Sequence, residues 1–333
     1  MTSITTKKMK VRPFLFLILF VGALSSSAQE SGSVFNFLSL GSSSHANALG
    51  GRNISLIEDD ASLILQNPAL LASVSDKSIN LNFLTYMQGS KMGSAAFVKT
   101  SSDRGTWGAT AQFLGYGNMK ETLETGESIG EMGALDMALS GMYCYELTSH
   151  WAGGVAGKFI YSKYGTYNSV GLAIDLGINY FDLAKDFSMS FVAANLGGQV
   201  KAFGDEHESI PFNLQWGITK GIAHAPIRVS VTLTDLTHWD KNYYYNPEGE
   251  TSFGRVLMNH LNIGADLLPS KNLYVAIGYN FRRASELKAA GATHAAGLTL
   301  GAGLLLKKFK LGIAYAKYHV SVPSISASVG YSL

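Results

Sequence analysis

The chain has 333 residues, and only 15% are charged against the roughly one quarter usual in globular proteins, while glycine reaches 36 residues and aromatics 11%. A formal charge of +2 without a basic block excludes a nucleic-acid partner. The single cysteine, Cys144, excludes both a disulfide-stapled small fold and a zinc cluster.

The first element is a leader. Lys7, Lys8, Lys10 and Arg12 precede an apolar stretch from Phe14 to Leu24, and Ser26-Ser27-Ala28 follows with the small residues of a cleavage site. The pattern predicts a signal peptide over 1–28 and an exported chain starting at Gln29. Its removal takes four positive charges and no acidic one, moving the formal charge from +2 to −2. Beyond the leader no apolar run reaches the ~18 residues of a helical membrane span.

Residues 29–76 differ from all that follows. A small-residue helical turn from Ser43 to Leu49 is stopped by Gly50-Gly51, and Asp59-Asp60 offers a cap to the apolar run Ala61 to Leu65. Pro68 then ends one turn while Asn67 caps the next, in Asn67-Pro68-Ala69-Leu70-Leu71. The segment is too apolar for an unpacked tail and is expected to sit as a plug, or hatch, inside the remainder of the chain.

From 77 to 333 apolar and polar or small residues alternate, the period of β-strands with two unlike faces. About fourteen segments are long enough to cross a bilayer at a tilt. Their predicted spans are 77–87, 90–100, 104–116, 133–147, 150–164, 167–181, 184–195, 210–221, 225–236, 256–268, 271–283, 294–306, 308–319 and 323–333. Alternation alone fits a soluble sandwich as well as a barrel. The connections decide: 117–132, 196–209, 237–255 and 284–293 are long and all follow odd-numbered strands, whereas those after even-numbered strands are short. That parity is the outer-membrane barrel pattern, with long loops at the cell surface. Trp107, Trp151, Tyr180 and Phe309 fall near strand ends, as interface girdles do. The last strand, with Val329, Tyr331 and Leu333 on one face, is expected to close against the first. The fold class is therefore an all-β transmembrane barrel of about fourteen antiparallel strands, whose lumen, wider than strand side chains fill, accounts for a plug.

Charged residues on the presumed inward faces are Asp136, Asp175, Arg228, Asp266 and Arg282. They read as a polar network tying wall to plug, or else as a translocation path. Trp239, Tyr243, Tyr244 and Tyr245 in the long loop 237–255 read either as anchors for a docked partner or as rings at the membrane interface. Catalytic signals are weak. Ser285-Glu286-Leu287-Lys288 has the Ser-x-x-Lys spacing, but it is expected in a loop, Ser78-Ile79-Asn80 precedes it, and no Lys-Thr-Gly follows. The eight histidines never take metal-ligand spacing, so no metal, cofactor or enzymatic role is expected.

Several stretches together carry a family resemblance: Asn53-Ile54-Ser55-Leu56, Asn67-Pro68-Ala69-Leu70-Leu71, Lys158-Phe159-Ile160-Tyr161-Ser162, Asn195-Leu196-Gly197-Gly198, Asp235-Leu236-Thr237-His238-Trp239 and Gly278-Tyr279-Asn280-Phe281-Arg282-Arg283. In that order they resemble the PorQ family, an outer-membrane component of the type IX secretion system of Bacteroidetes, from about Val34 to the end of the chain. The resemblance implies a barrel similar to PorV and to the fatty acid transporter FadL. It implies a non-enzymatic anchor that holds a PorZ-like surface protein near the sortase-like PorU and its partner PorV. The same architecture leaves open a transporter of fatty acids or other apolar molecules, with outer-membrane lipid around the barrel and a hydrophobic ligand in its lumen.

Overall fold

The computed structural model describes residues 33–122, 128–241, 243, 252–289, 294–319 and 322–333. The leader, and Tyr244 and Tyr245 of the loop, lie outside the described residues. Fourteen strands form one closed antiparallel barrel in which each pairs with its neighbours in sequence. They are β1 Ser78–Thr85, β2 Lys91–Ser102, β3 Gly105–Thr122, β4 Ser128–Glu146, β5 Trp151–Tyr164, β6 Tyr167–Asp182 and β7 Phe187–Lys201, then β8 Asn213–Gly221, β9 Ile227–Leu233, β10 Leu261–Ser270, β11 Leu273–Asn280, β12 Leu298–Leu305, β13 Phe309–Ala316 and β14 Ser324–Ser332. β14 closes on β1, with Ser78 opposite Ser332 and Leu84 opposite Ser326. Every strand therefore has its backbone groups paired on both sides, the condition for crossing hydrocarbon.

The two faces of the wall are inverted relative to a soluble protein. Leu81, Phe97, Phe159, Leu172, Ile277, Ile313 and Val329 are exposed on the outer face. Asn80, Thr110, Ser140, Asp175, Gln215, Thr232 and Ser326, between them in sequence, are buried on the inner face. An apolar exterior around a polar, small-residue interior suits a barrel solvated by lipid. Among the described residues no helix is long and apolar enough to cross a membrane.

The wall is not of even height. β2 to β7 run for 12 to 19 residues, whereas β8 to β14 and β1 run for 7 to 10. The long connections leave from one end of the barrel, here the loop end. Over the low arc that end carries the helices Phe253–Asn259 and Phe281–Ala289.

The segment before β1 is built from short turns, each with its own cap. Ser43 accepts from the Ala46 amide at the start of the helix Ser44–Ala48, and Asp60 accepts from the Ser62 amide before the turn Ala61–Leu65. Asn67 accepts from the Ala69 amide, with Pro68 leading the turn Pro68–Ser73. Gly50 and Gly51, both at φ 96, reverse the chain between the first two, a conformation that residues with a side chain rarely adopt. Val34, Phe35, Phe37 and Leu38 pack against Leu84, Met92, Leu114, Ala138 and Ile160 of the inner wall. Ile64, Leu71 and Val74 pack against Val98, Met142, Ala152 and Ala156.

Several sequence-based boundaries move. β3 continues to Thr122 and β4 begins at Ser128, so most of the expected connection 117–132 is strand. β7 continues through 196–201 after a bulge in which Ile174 pairs Leu196 and Leu176 pairs Ala193, leaving two residues opposite Asp175. β10 starts at Leu261 and β11 stops at Asn280, because Phe253–Asn259 and Phe281–Ala289 are helical. Ser285 and Lys288 therefore lie on a helix rather than in an irregular loop, and Arg282 leaves the strand for that helix.

Candidate functional site

Two polar constellations join the early segment to the wall. The deeper is a ring of four charges. His45 lies between Glu58 (Nδ1 to Oε2, 2.8 Å) and Asp266 of β10 (Nε2 to Oδ1, 2.7 Å). Arg228 of β9 closes the ring, donating from Nη2 to Glu58 Oε1 at 2.5 Å and from Nε and Nη2 to Asp266 Oδ2 at 3.0 and 2.9 Å. The imidazole stacks on Tyr274, centroids 3.7 Å apart. All four groups are nearly out of solvent. Burial works against the charged imidazole, but Glu58 and Asp266 outweigh it and raise the His45 pKa to about 9. Burial likewise opposes the Glu58 carboxylate, and His45 with Arg228 overcome it, lowering its pKa to about 2. Two cations and two anions leave the ring neutral, which makes it a latch rather than a charge left for a ligand.

The second constellation faces the loop end. Arg283, from the helix Phe281–Ala289, lays its guanidinium over the Tyr318 ring at 4.0 Å. It reaches Gly51, where a side chain would collide with Nη2. Tyr318 donates to Asn47 Oδ1 (3.3 Å) and meets Tyr86 edge-on at 5.8 Å. Arg52, the next residue of the turn, points Nη2 at the Leu38 carbonyl, 3.4 Å away. Among the described residues neither Arg52 nor Arg283 has an ion pair, and Arg283 Nη1 is buried without a hydrogen-bond partner. Burial pulls the Arg52 guanidinium below its ordinary pKa, and the nearest help, Asp235, is already paired with Arg282 at 2.6 Å. Tyr318, beside Arg283, and Leu38, beside Arg52, join these cations to the cluster of Phe37 and Leu38, on which the half-buried Leu40, Tyr86, Tyr116 and Phe203 also rest. The arrangement is an aromatic-lined face with two under-compensated guanidiniums, suited to a molecule with an apolar body and an anionic head.

The residues singled out from sequence fall in several places. Asn67, Pro68 and Ala69 meet the inner face of β5 and β6, where Gly154 and Gly177 leave room for them. Asp136 accepts from the hydroxyls of Tyr116 (2.5 Å), Tyr164 (3.0 Å) and Ser162. Asp175 pairs with Lys158 (2.6 Å) and accepts the Asn195 amide at the bulge (2.8 Å). Arg228 and Asp266 meet in the latch. Arg282, at the loop end, joins Asp235 and Glu286 instead of the inner wall. Trp239 and Tyr243 are both exposed. The sequence reading missed His45, Glu58, Arg52 and Arg283. The signal for Arg52 was present, since it is the one arginine, with no lysine, between 29 and 76. Among the described residues no group of three or more His, Cys, Asp or Glu is placed to hold a metal ion.

No protein-family model matches the chain, and no curated protein matches it by sequence. Solved structures do share its fold. The toluene transporter TodX of Pseudomonas putida superposes with a TM-score of 0.55 at 13% identity, over 88% of this chain and 98% of that one. The toluene transporter TbuX of Ralstonia pickettii gives 0.54 at 13% identity, over 90% and 99%. A Pseudomonas aeruginosa FadL homologue gives 0.53 at 11% identity, over 87% and 98%. The chain thus has the fourteen-strand barrel fold of FadL-like transporters.

Proposed function

We propose that this protein is an outer-membrane channel of the FadL-like kind, taking up apolar molecules that carry an anionic head, fatty acids being the simplest class. The observation that carries the reading is the pair Arg52 and Arg283: two guanidiniums without a carboxylate partner, Arg283 against the Tyr318 ring and Arg52 against the Leu38 carbonyl, at the loop end of the barrel. In this reading the segment 29–76 is the plug. It fills the lumen, the charge ring holds it to the wall, and capture at the loop end precedes any movement of it. The shared fold of the toluene transporters TodX and TbuX supports the apolar part of the substrate, and the guanidiniums add the head group. Titration calorimetry of the purified barrel with oleate and with oleyl alcohol tests it. Oleate binds tightly, and Arg52→Gln with Arg283→Gln weakens it ~100-fold while leaving the alcohol unchanged, as expected for two charge-assisted hydrogen-bonding groups. Equal binding of acid and alcohol by the parent protein, or an unchanged oleate affinity in the double variant, defeats the reading.

A second reading follows from the PorQ resemblance: a scaffold of the type IX attachment complex, its loops turned to the cell surface and holding a PorZ-like protein near PorU and PorV. The filled interior and the β3–β4 hairpin, whose strands are the longest in the wall, favour it. Its test is affinity purification of the tagged protein from gently solubilised membranes. Recovery of such proteins in fixed ratio supports the scaffold, and a lone barrel carrying fatty acid supports the channel.

A further inference from the structure

We infer that the helix Phe253–Asn259, together with Trp239, lies in the lipid interface and completes the apolar band of the low arc of the wall. The inference rests on the reading of the barrel as bilayer-embedded and concerns a surface that the channel reading does not use.

Strand length supplies the need. At about 3.3 Å per residue and a tilt near 40°, strands of 12 to 19 residues climb ~30–48 Å along the membrane normal. Those of 7 to 10 residues climb only ~17–25 Å. The outward apolar band of such barrels is ~25 Å tall, so β9, with 7 residues, falls several ångströms short of it. A mismatch of that size is met either by a thinned bilayer or by further apolar surface at the strand ends.

That surface is present above β9 and β10. The helix has two unlike sides. Val256 and Asn259 are buried, and it packs on the helix Phe281–Ala289, which carries Arg283 over the interior. Its other side shows Phe253 at 64%, Leu257 at 41% and Met258 at 45% exposure, large apolar groups where a loop facing water would carry polar ones. The surface is continuous with the wall, because only His260 separates the helix from Leu261, which pairs with Leu233, as Ile263 does with Val231. Trp239 is fixed beside the helix. Its ring stacks 6.2 Å from Phe253 and lies tilted 4.3 Å from His260, and its indole N–H donates to the Leu236 carbonyl at 2.7 Å. An amphipathic ring at the level where strands end is the residue type that membrane interfaces collect.

Depth-dependent fluorescence quenching tests the assignment in phospholipid vesicles. One variant keeps only Trp239 (Trp107→Phe, Trp151→Phe, Trp216→Phe), and a second keeps only Trp107, which is exposed on the outer wall. Bromine near the head-group end of the acyl chains is expected to quench Trp239 by about half, and bromine at the chain ends distinctly less. Adding Phe253→Asp and Leu257→Asp to the Trp239 variant should reduce that quenching at least twofold. Trp239 left unquenched by lipid but open to aqueous acrylamide, while Trp107 is quenched, overturns the inference and leaves the patch to a protein partner. Loss of quenching at Trp107 as well overturns the bilayer-embedded reading itself.

Discussion

The two arcs of the wall both bury apolar side chains of the inner segment, but they differ in how many polar contacts they add. The tall arc, β2 to β7, meets it mainly through apolar side chains: Leu38 and Phe37 at one level, Ile64 and Leu71 at another. Its polar contacts to the segment are few, chiefly Gln112 to Ser42 and the Cys144 thiol to the Ala69 carbonyl. The low arc adds directed contacts at nearly every strand. Thr219 bonds Ser55, Arg228 and Asp266 hold Glu58 and His45, Thr299 bonds the Ala48 carbonyl and the Gly50 amide, and Lys310 pairs with Asp59. Burial stabilises without fixing a position, whereas buried ion pairs fix a position and contribute little net stability. Apolar burial holds the segment on both sides, since Leu49, Leu63 and Leu70 pack with Tyr274, Ala276 and Ala314 of the low arc, and the difference teaches that its registration comes from the low side.

Substitutions can break that division. Arg228→Met leaves two buried carboxylates to one imidazole and should cost ~3–5 kcal/mol by thermal or denaturant unfolding in detergent. Adding Glu58→Gln and Asp266→Asn should recover much of the loss, because a neutral cluster needs no counter-charge. On the tall side Leu71→Ala should cost ~2–5 kcal/mol through the cavity it opens, with no comparable rescue by a second substitution. The latch should also titrate. His45 has a pKa raised from 6.5 to about 9, so its contribution is complete below pH 6.5 and is lost as the pH climbs through about 9. Glu58, lowered from 4.5 to about 2, contributes fully above 4.5 and ceases to as the pH falls through about 2. Melting midpoints across pH 5–10 should fall on the alkaline side, and His45→Gln should flatten that fall. Gly154→Ala on the tall arc and Gly278→Ala on the low arc both drive a methyl into the segment's backbone, at Pro68 and at Leu49–Gly50, for ~1–3 kcal/mol each. Smallest is Asn67→Ala, which removes one cap for ~1 kcal/mol.

Much of the fold was legible because a barrel writes itself in period two. In Val170, Leu172, Ile174, Leu176 and Ile178 the outward row is plain, and the parity of long and short connections marked one end of the barrel. What failed did so where local patterns overlap. Phe281-Arg282-Arg283 continues the alternation of β11, yet Glu286 four residues after Arg282 already had helical spacing, and their pairing at 2.7 Å accompanies the helix. Asn195-Leu196-Gly197-Gly198 read as the end of a strand because a bulge and glycines interrupt the period without ending the pairing. The sites were less legible for a plainer reason. His45, Glu58, Arg228 and Asp266 lie in four separate stretches, and only closure of the wall brings them together.

The glycines of the inner wall bear on how the molecule is assembled. At positions 108, 154, 177, 217, 264, 278 and 301 the wall has no side chain where the segment touches it. An empty barrel would therefore enclose a hollow that its own strands cannot fill. The segment leads directly into β1, and β1 meets its second neighbour only when β14 arrives, with Ser78 and Ser332 separated by 254 positions. Pairings so distant in sequence form late, after the local hairpins. The early segment is then expected to serve less as a cork inserted into a finished tube than as a mandrel around which successive hairpins are wound before the β1–β14 seam closes.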